Sequence, residues 1–231
     1  MKSSLTYAML LASAIASLNS CGGGGGGGSS APSAGSQPSA PQPITLVTGG
    51  VVGAPTFAEG DTASGAQGGA PSGDGIPCFR TTGTLGLHHH AHLSLYLNGK
   101  LSAIPVAVGM YQPAPVTSGY TTGGTCNYDL HTHDATGIIH VEAQSAGAYT
   151  LGEFFRIWGK PLSATNVAGT AGSVQAYTAQ DNGSGTTGAF TAFAGDPNSI
   201  PLLEREEIVI EVGPPFVQPS MLPSVTFQAG Y

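Results

Sequence analysis

The chain has 231 residues, with 36 glycines and 17 prolines, and only 8% of its residues are charged. Six Lys and Arg stand against thirteen Asp and Glu, a net charge of −7 with histidine neutral. With no basic patch and no nucleic-acid motif, this balance argues against a nucleic-acid partner and suits attraction of cations.

The first predicted element is a leader. Met1-Lys2 is a short basic start, residues 5–18 are apolar but too short to span a bilayer comfortably, and Leu18-Asn-Ser-Cys21 follows at the expected cleavage point. Residues 1–20 thus resemble a bacterial lipoprotein signal peptide with its lipobox. The resemblance implies that Cys21 is acylated as the first mature residue and anchors the protein to a membrane through lipid. Gly22 stands where an aspartate would signal inner-membrane retention, so the implied address is the outer membrane or periplasm. The alternative is an ordinary secretory signal in which Cys21 is incidental. Both take the protein out of the cytoplasm.

Residues 22–75 collapse into Gly, Ser, Ala, Pro and Gln, opening on a glycine run. Such a composition cannot bury enough apolar surface to offset its chain entropy, so it reads as a disordered tether. Ile44-Thr-Leu-Val47, with Val51-Val52, is the exception. It fits either an edge strand or a sticky patch, and it is assigned here to the linker. Residues 76–231 are long enough for one domain with a proper core and short for two.

All seven histidines lie in this domain, as His88, His89, His90 and His92, then His131 and His133, then His140. In a strand alternate side chains share a face, so His88, His90 and His92 oppose Leu93, Leu95 and Leu97. The same spacing pairs His131 with His133, and His140 with Glu142. Residues 92–97 and 100–108 form a predicted hairpin about Asn98-Gly99, with Pro105 marking the second strand as an edge or as interrupted. Cys78 and Cys126 remain once Cys21 is lipidated. Outside the cytoplasm they are expected to form a disulfide, the alternative being Cys126 as a metal ligand in a Cys-x4-His-x-His array.

A third strand is expected over 138–143. Then Thr150, as N-cap with Glu153 three residues on, forms a capping box, and Tyr149 opposes Phe154 as a hydrophobic staple. Leu151, Phe154, Phe155 and Trp158 follow at helical spacing, with Gly159 placed to stop the helix. That spacing makes the aromatics core rather than a carbohydrate platform. Later strands are expected over 173–179, 189–194 and 207–212, a loop over 180–188, and an irregular proline-rich surface tail from Pro214. Glu204, Glu206 and Glu207 border a strand and read as a solvated turn. The sum is an α+β domain with a mixed β-sheet and one short packing helix, a β-grasp-like roll, with a β-sandwich as the alternative.

Several blocks together carry a resemblance: His90-x-His92-Leu-x-x-Tyr-x-Asn-Gly-Lys100, Cys126-x4-His-Thr-His-Asp134, Gly-Ile-Ile-His-Val-Glu142, Tyr-Thr-Leu-Gly-Glu-Phe-Phe-x-Ile-Trp-Gly159 and Glu-Ile-Val-Ile-Glu-Val-Gly213. Over residues 85–213 the chain is similar to a family of secreted or membrane-attached bacterial and archaeal proteins. The resemblance implies a shared fold and a shared histidine site, and no particular activity. The chain departs from that pattern at 180–188 and in its proline-rich tail.

Enzyme patterns fit poorly. A cupin places Glu three or four residues after His-x-His, whereas Glu142 lies nine after His133. An amidohydrolase barrel needs far more chain. No Gly-x-Ser-x-Gly, phosphate loop or His-Glu-x-x-His is present. The histidines therefore point to a metal site built from His90, His92, His131, His133 and His140, with Asp134 as ligand or as the acceptor that fixes a tautomer and His88 and His89 at the rim. Imidazole and carboxylate donors suit Cu(II) or Zn(II), and too few methionines are present for a thioether Cu(I) site. The leading expectation is metal capture, buffering or delivery. A metal-dependent oxidoreductase or hydrolase, and an adhesion or assembly module with structural histidines, are the alternatives.

Overall fold

The computed structural model describes residues 41–57, 78–79 and 84–231. The predicted leader, the lipidation position Cys21 and most of the predicted tether lie outside the described residues. The main sheet has seven strands: β1 (Leu87–Leu97), β2 (Lys100–Ser102), β3 (Leu130–His131), β4 (Ile138–Ala143), β5 (Ser173–Gln180), β6 (Thr191–Ala192) and β7 (Glu206–Gly213). Their order is β6-β5-β7-β1-β4-β3, with β2 paired to β1. β1 and β7 run parallel, aligning His92 with Glu207 and Leu97 with Val212, and the other pairs are antiparallel. This is the expected α+β architecture with a mixed sheet.

Local chemistry explains the elements. Asn98 and Gly99 both have positive φ, 52° and 73°, which sets the twist of a two-residue hairpin turn between β1 and β2. β2 ends at Ser102, before the proline that removes a ladder donor. Thr150 caps α1 (Leu151–Trp158) with both capping-box bonds formed, and Gly159 closes it in the left-handed conformation. Phe154, Phe155 and Trp158 pack with Ala91, Leu93 and Leu95 of β1, Ile139 and Val141 of β4, and Ile208 and Ile210 of β7 in one core. Each such side chain, fully buried, contributes about 1.5–3 kcal/mol.

The other face of the sheet differs from expectation. Ile44–Thr45, assigned to the linker, is a strand that pairs in parallel with Val225–Thr226. Leu46, Val225 and Phe227 are buried together on Ile138, so the proline-rich tail returns into the fold instead of wrapping over the surface. Burial of four apolar side chains outweighs a linker-like composition. The strand predicted over 189–194 shrinks to Thr191–Ala192. Glu204 is exposed as expected, but Glu206 and Glu207 are buried, so the predicted solvated turn is corrected.

Cys78 and Cys126 form a disulfide, with Cα atoms 5.6 Å apart and a separation of 48 positions in sequence. Cys126 is therefore not a thiolate ligand. Among the described residues no helix is long and apolar enough to cross a membrane.

Candidate metal centre

Sheet register builds the site. His90 of β1 lies opposite His140 of β4, and His140 lies opposite His131 of β3, so three histidines stand in one row across three adjacent strands. In the next row His88 lies opposite Glu142. Because neighbouring strands are less than 5 Å apart and alternate residues share a face, these side chains meet on the face away from α1. His133 follows two residues after His131, just past the end of β3. Gly109 permits the close approach that backs this corner. Its φ is +72°, and an added Cβ would fall 2.2 Å from the Leu130 carbonyl oxygen and 3.1 Å from His131 Cα.

Backbone carbonyls fix two tautomers. His131 Nδ1 lies 2.8 Å from the Tyr128 carbonyl oxygen and His133 Nδ1 lies 2.6 Å from that of Thr121. A carbonyl only accepts, so each Nδ1 carries a proton, and in the neutral ring each Nε2 carries the lone pair. Those two Nε2 atoms are 3.1 Å apart. Burial, reinforced by His140 and His133, lowers the His131 pKa to about 3, and burial likewise lowers that of His133 despite its carbonyl and the nearby Glu142 and Asp134. Two lone pairs thus face each other in a dry site, an arrangement that a cation between them relieves.

The row continues outward. His90 Nε2 is 3.1 Å from His140 Nδ1 and 3.2 Å from His88 Nε2. Burial, then the neighbouring His88, lowers the His90 pKa to about 4, while burial and the surrounding imidazoles hold His140 well below its ordinary value. The Glu142 carboxylate spans the group. Its Oε1 lies 3.4 Å from His88 Nε2 and 3.5 Å from His140 Nδ1, and its Oε2 lies 3.8 Å from His131 Nε2. Tyr120 stacks on His133 at 5.0 Å, and Tyr231 meets His90 edge-on at 5.3 Å.

Two overlapping donor sets result. His131, His133, His140 and Glu142 form one, and His88, His90 and His140 the other, each with donor atoms within 4.8 Å of one another. Two nitrogens bound to one ion at about 2.0–2.1 Å sit roughly 2.9 Å apart at a right angle and roughly 3.4 Å apart at the tetrahedral angle. The 3.1–3.2 Å spacings here fall between those limits. Neutral imidazoles and a carboxylate fit a first-row divalent ion and do not choose among such ions.

Of the residues expected from sequence, His90, His131, His133 and His140 come together. His92 does not. Its Nδ1 meets Glu207 Oε2, and its Nε2 donates to the Thr136 carbonyl oxygen at 2.7 Å. Burial opposes its charge, yet the Glu207 carboxylate and the Thr136 carbonyl outweigh burial and raise its pKa. Both nitrogens are occupied, so His92 has no lone pair to offer. Asp134 also stays out, because Oδ1 accepts from the Thr136 amide at 3.0 Å and Oδ2 from the Gly49 amide at 2.8 Å, which shapes the turn after His133. His89 lies on the opposite face, bonded to the Leu202 carbonyl at 2.9 Å. His88, expected at the rim, and Glu142, absent from the expected ligands, join the cluster. Two-residue alternation from His90 and from His140 was the signal for both.

No protein-family model matches the chain, and neither a curated protein nor a solved structure matches it.

Proposed function

We propose that this is a lipid-anchored extracytoplasmic protein that binds a divalent transition ion, Cu(II) or Zn(II), for capture, buffering or delivery. The observation that carries the reading is the pair of Nε2 atoms on His131 and His133, 3.1 Å apart with both Nδ1 hydrogens committed to backbone carbonyls. A hydrogen-bonded structural core would pair each imidazole nitrogen with an opposite partner, as His92 does with Glu207 and Thr136. His131 and His133 instead point lone pair at lone pair. Orientation of ligating rings by carbonyl acceptors is also the usual support of a metal-binding histidine.

The envelope location rests on the leader motif, with a disulfide that suits an oxidising compartment. The enzyme alternative draws no support from the apolar cavity of about 300 Å³ lined by Val51, Pro55, Phe57, Ile104, Val106 and Val116, because no cluster histidine lines it.

Calorimetric titration of the metal-free chain with Zn(II) and Cu(II) at neutral pH tests the reading. Tight binding by the wild type, lost in the His131→Ala/His133→Ala variant, is the expected result. No binding by the wild type, or equal binding by the variant, rejects it.

A further inference from the structure

The six donors are not equally placed. The His88 side chain is 48% exposed and that of Glu142 13%, whereas His90, His133 and His140 are nearly covered at 5%, 7% and 7% and His131 is fully buried. Successive nitrogens inward from His88 lie 3.1–3.2 Å apart, from His88 to His90 to His140. The His131 to His133 pair repeats the spacing at 3.1 Å on the inner side. His140 belongs to both donor sets. Glu142 turns one oxygen outward, towards His88 and His140, and the other inward, towards His131.

From this arrangement we propose that the cluster holds a divalent ion in two adjacent positions, an outer loading position at His88, His90 and His140 and an inner holding position at His131, His133 and His140, joined by the Glu142 carboxylate. The inference rests on the metal-binding reading above and adds a path to it. An ion arriving from solvent meets His88 first, since that side chain is 48% exposed and the other cluster histidines are buried. It then exchanges His88 and His90 for His131 and His133 while Glu142 and His140 keep hold of it. The bonds to the two outer nitrogens break as bonds to the two inner nitrogens form, with no electron transferred. Release follows the same route outward, so the protein exchanges its ion with a donor or acceptor docked near His88 while His131 stays covered.

Stopped-flow mixing of the metal-free full chain with a substoichiometric amount of Co(II), whose visible absorption reports its ligands, separates the steps. The wild type should show a fast phase followed by a slower spectral change. In His88→Ala the fast phase should vanish, and loading and chelator-induced release should both slow about tenfold, because removing a ligand on the path and not at its end alters both rates together. In His131→Ala/His133→Ala the fast phase should remain and the slower one disappear. Should that variant not fold, Glu142→Gln removes the bridge at a partly exposed position and should selectively slow the second phase. A wild type that loads in a single phase, or His88→Ala loading and releasing at wild-type rates, overturns the path. So does a His88→Ala affinity loss equal to that of the inner variant, which means one undivided site. A wild type that takes up neither Co(II), Zn(II) nor Cu(II) instead overturns metal binding itself.

Discussion

Lowering the pH should remove stability at each neutral, buried histidine of the cluster, and the cost can be worked out. His131 is fully buried, and its pKa falls to about 3, against about 6.5 in an unfolded chain. With the folded value below the unfolded one, the unfolded state binds more protons between them. The contribution of His131 is therefore complete above about pH 6.5 and declines as pH falls towards the folded value, at about 1.4 kcal/mol per pH unit. From pH 7.5 to 5.5 the loss is about 1.4 kcal/mol, and it requires only that the folded pKa lie well below 5.5. His90, His133 and His140 are lowered too and act in the same direction. His92 acts oppositely, since its raised pKa gives stability that is present below about pH 6.5 and is lost as pH rises through the folded value. Asp129, Glu206 and Glu211, raised by burial, also lose their penalty as pH falls. Subtraction isolates the cluster. Urea unfolding of the wild type and of His131→Asn, both in chelator at pH 7.5 and 5.5, should show the wild type losing about 1.4 kcal/mol more than the variant over that interval. A difference that does not change with pH would refute a neutral, buried His131.

Two further perturbations probe the frame around the cluster. His92→Leu leaves the Glu207 carboxylate buried without its partner and should cost about 3–5 kcal/mol in urea unfolding, whereas the paired His92→Leu/Glu207→Met replacement should cost far less; a single variant within 1 kcal/mol of the wild type, by the same reference range, counts against the buried pair. Cys78→Ala/Cys126→Ala opens a closure of 48 positions and should cost about 2–4 kcal/mol, and two titratable thiols in protein purified without reductant would show that the bridge does not form.

How much of this was legible in the sequence depends on the range of the signal. The helix was, because Thr150, Glu153 and Gly159 act within their own turn and the aromatic spacing is local. The hairpin was, because Asn98-Gly99 sets φ at two residues. The role of Ile44-Thr-Leu-Val47 was not, because its partner, Val225–Thr226, lies 181 positions away in the register and no local pattern announces it. Alternation correctly placed His88, His90 and His92 on one face, yet it could not separate a ligand from a structural ring. That distinction came from the parallel pairing of β1 with β7, which sets Glu207 beside His92. Glu207 in turn looked like a solvated residue because sequence shows its polarity and not what covers it.

The contrast between His92 and His90 supplies the remaining step. The two rings share a strand and a face, and both are buried. Beside His92 the neighbouring strand presents a carboxylate, so a protonated ring and its counter-charge cancel, with Glu207 Oε1 left buried and without a hydrogen-bond partner. Beside His90 the neighbouring strand presents His140, and beyond that stands His131. Adding a proton to any one of these rings puts a charge in a dry site already crowded with imidazoles, which is why burial and the neighbouring rings depress their pKa values together. A divalent ion would meet a larger burial cost but recover it in several coordinate bonds at once, with Glu142 offsetting part of its charge. Proton binding is disfavoured by the arrangement that would favour metal binding, so at neutral pH protons would compete little with an ion for His90, His131 and His140.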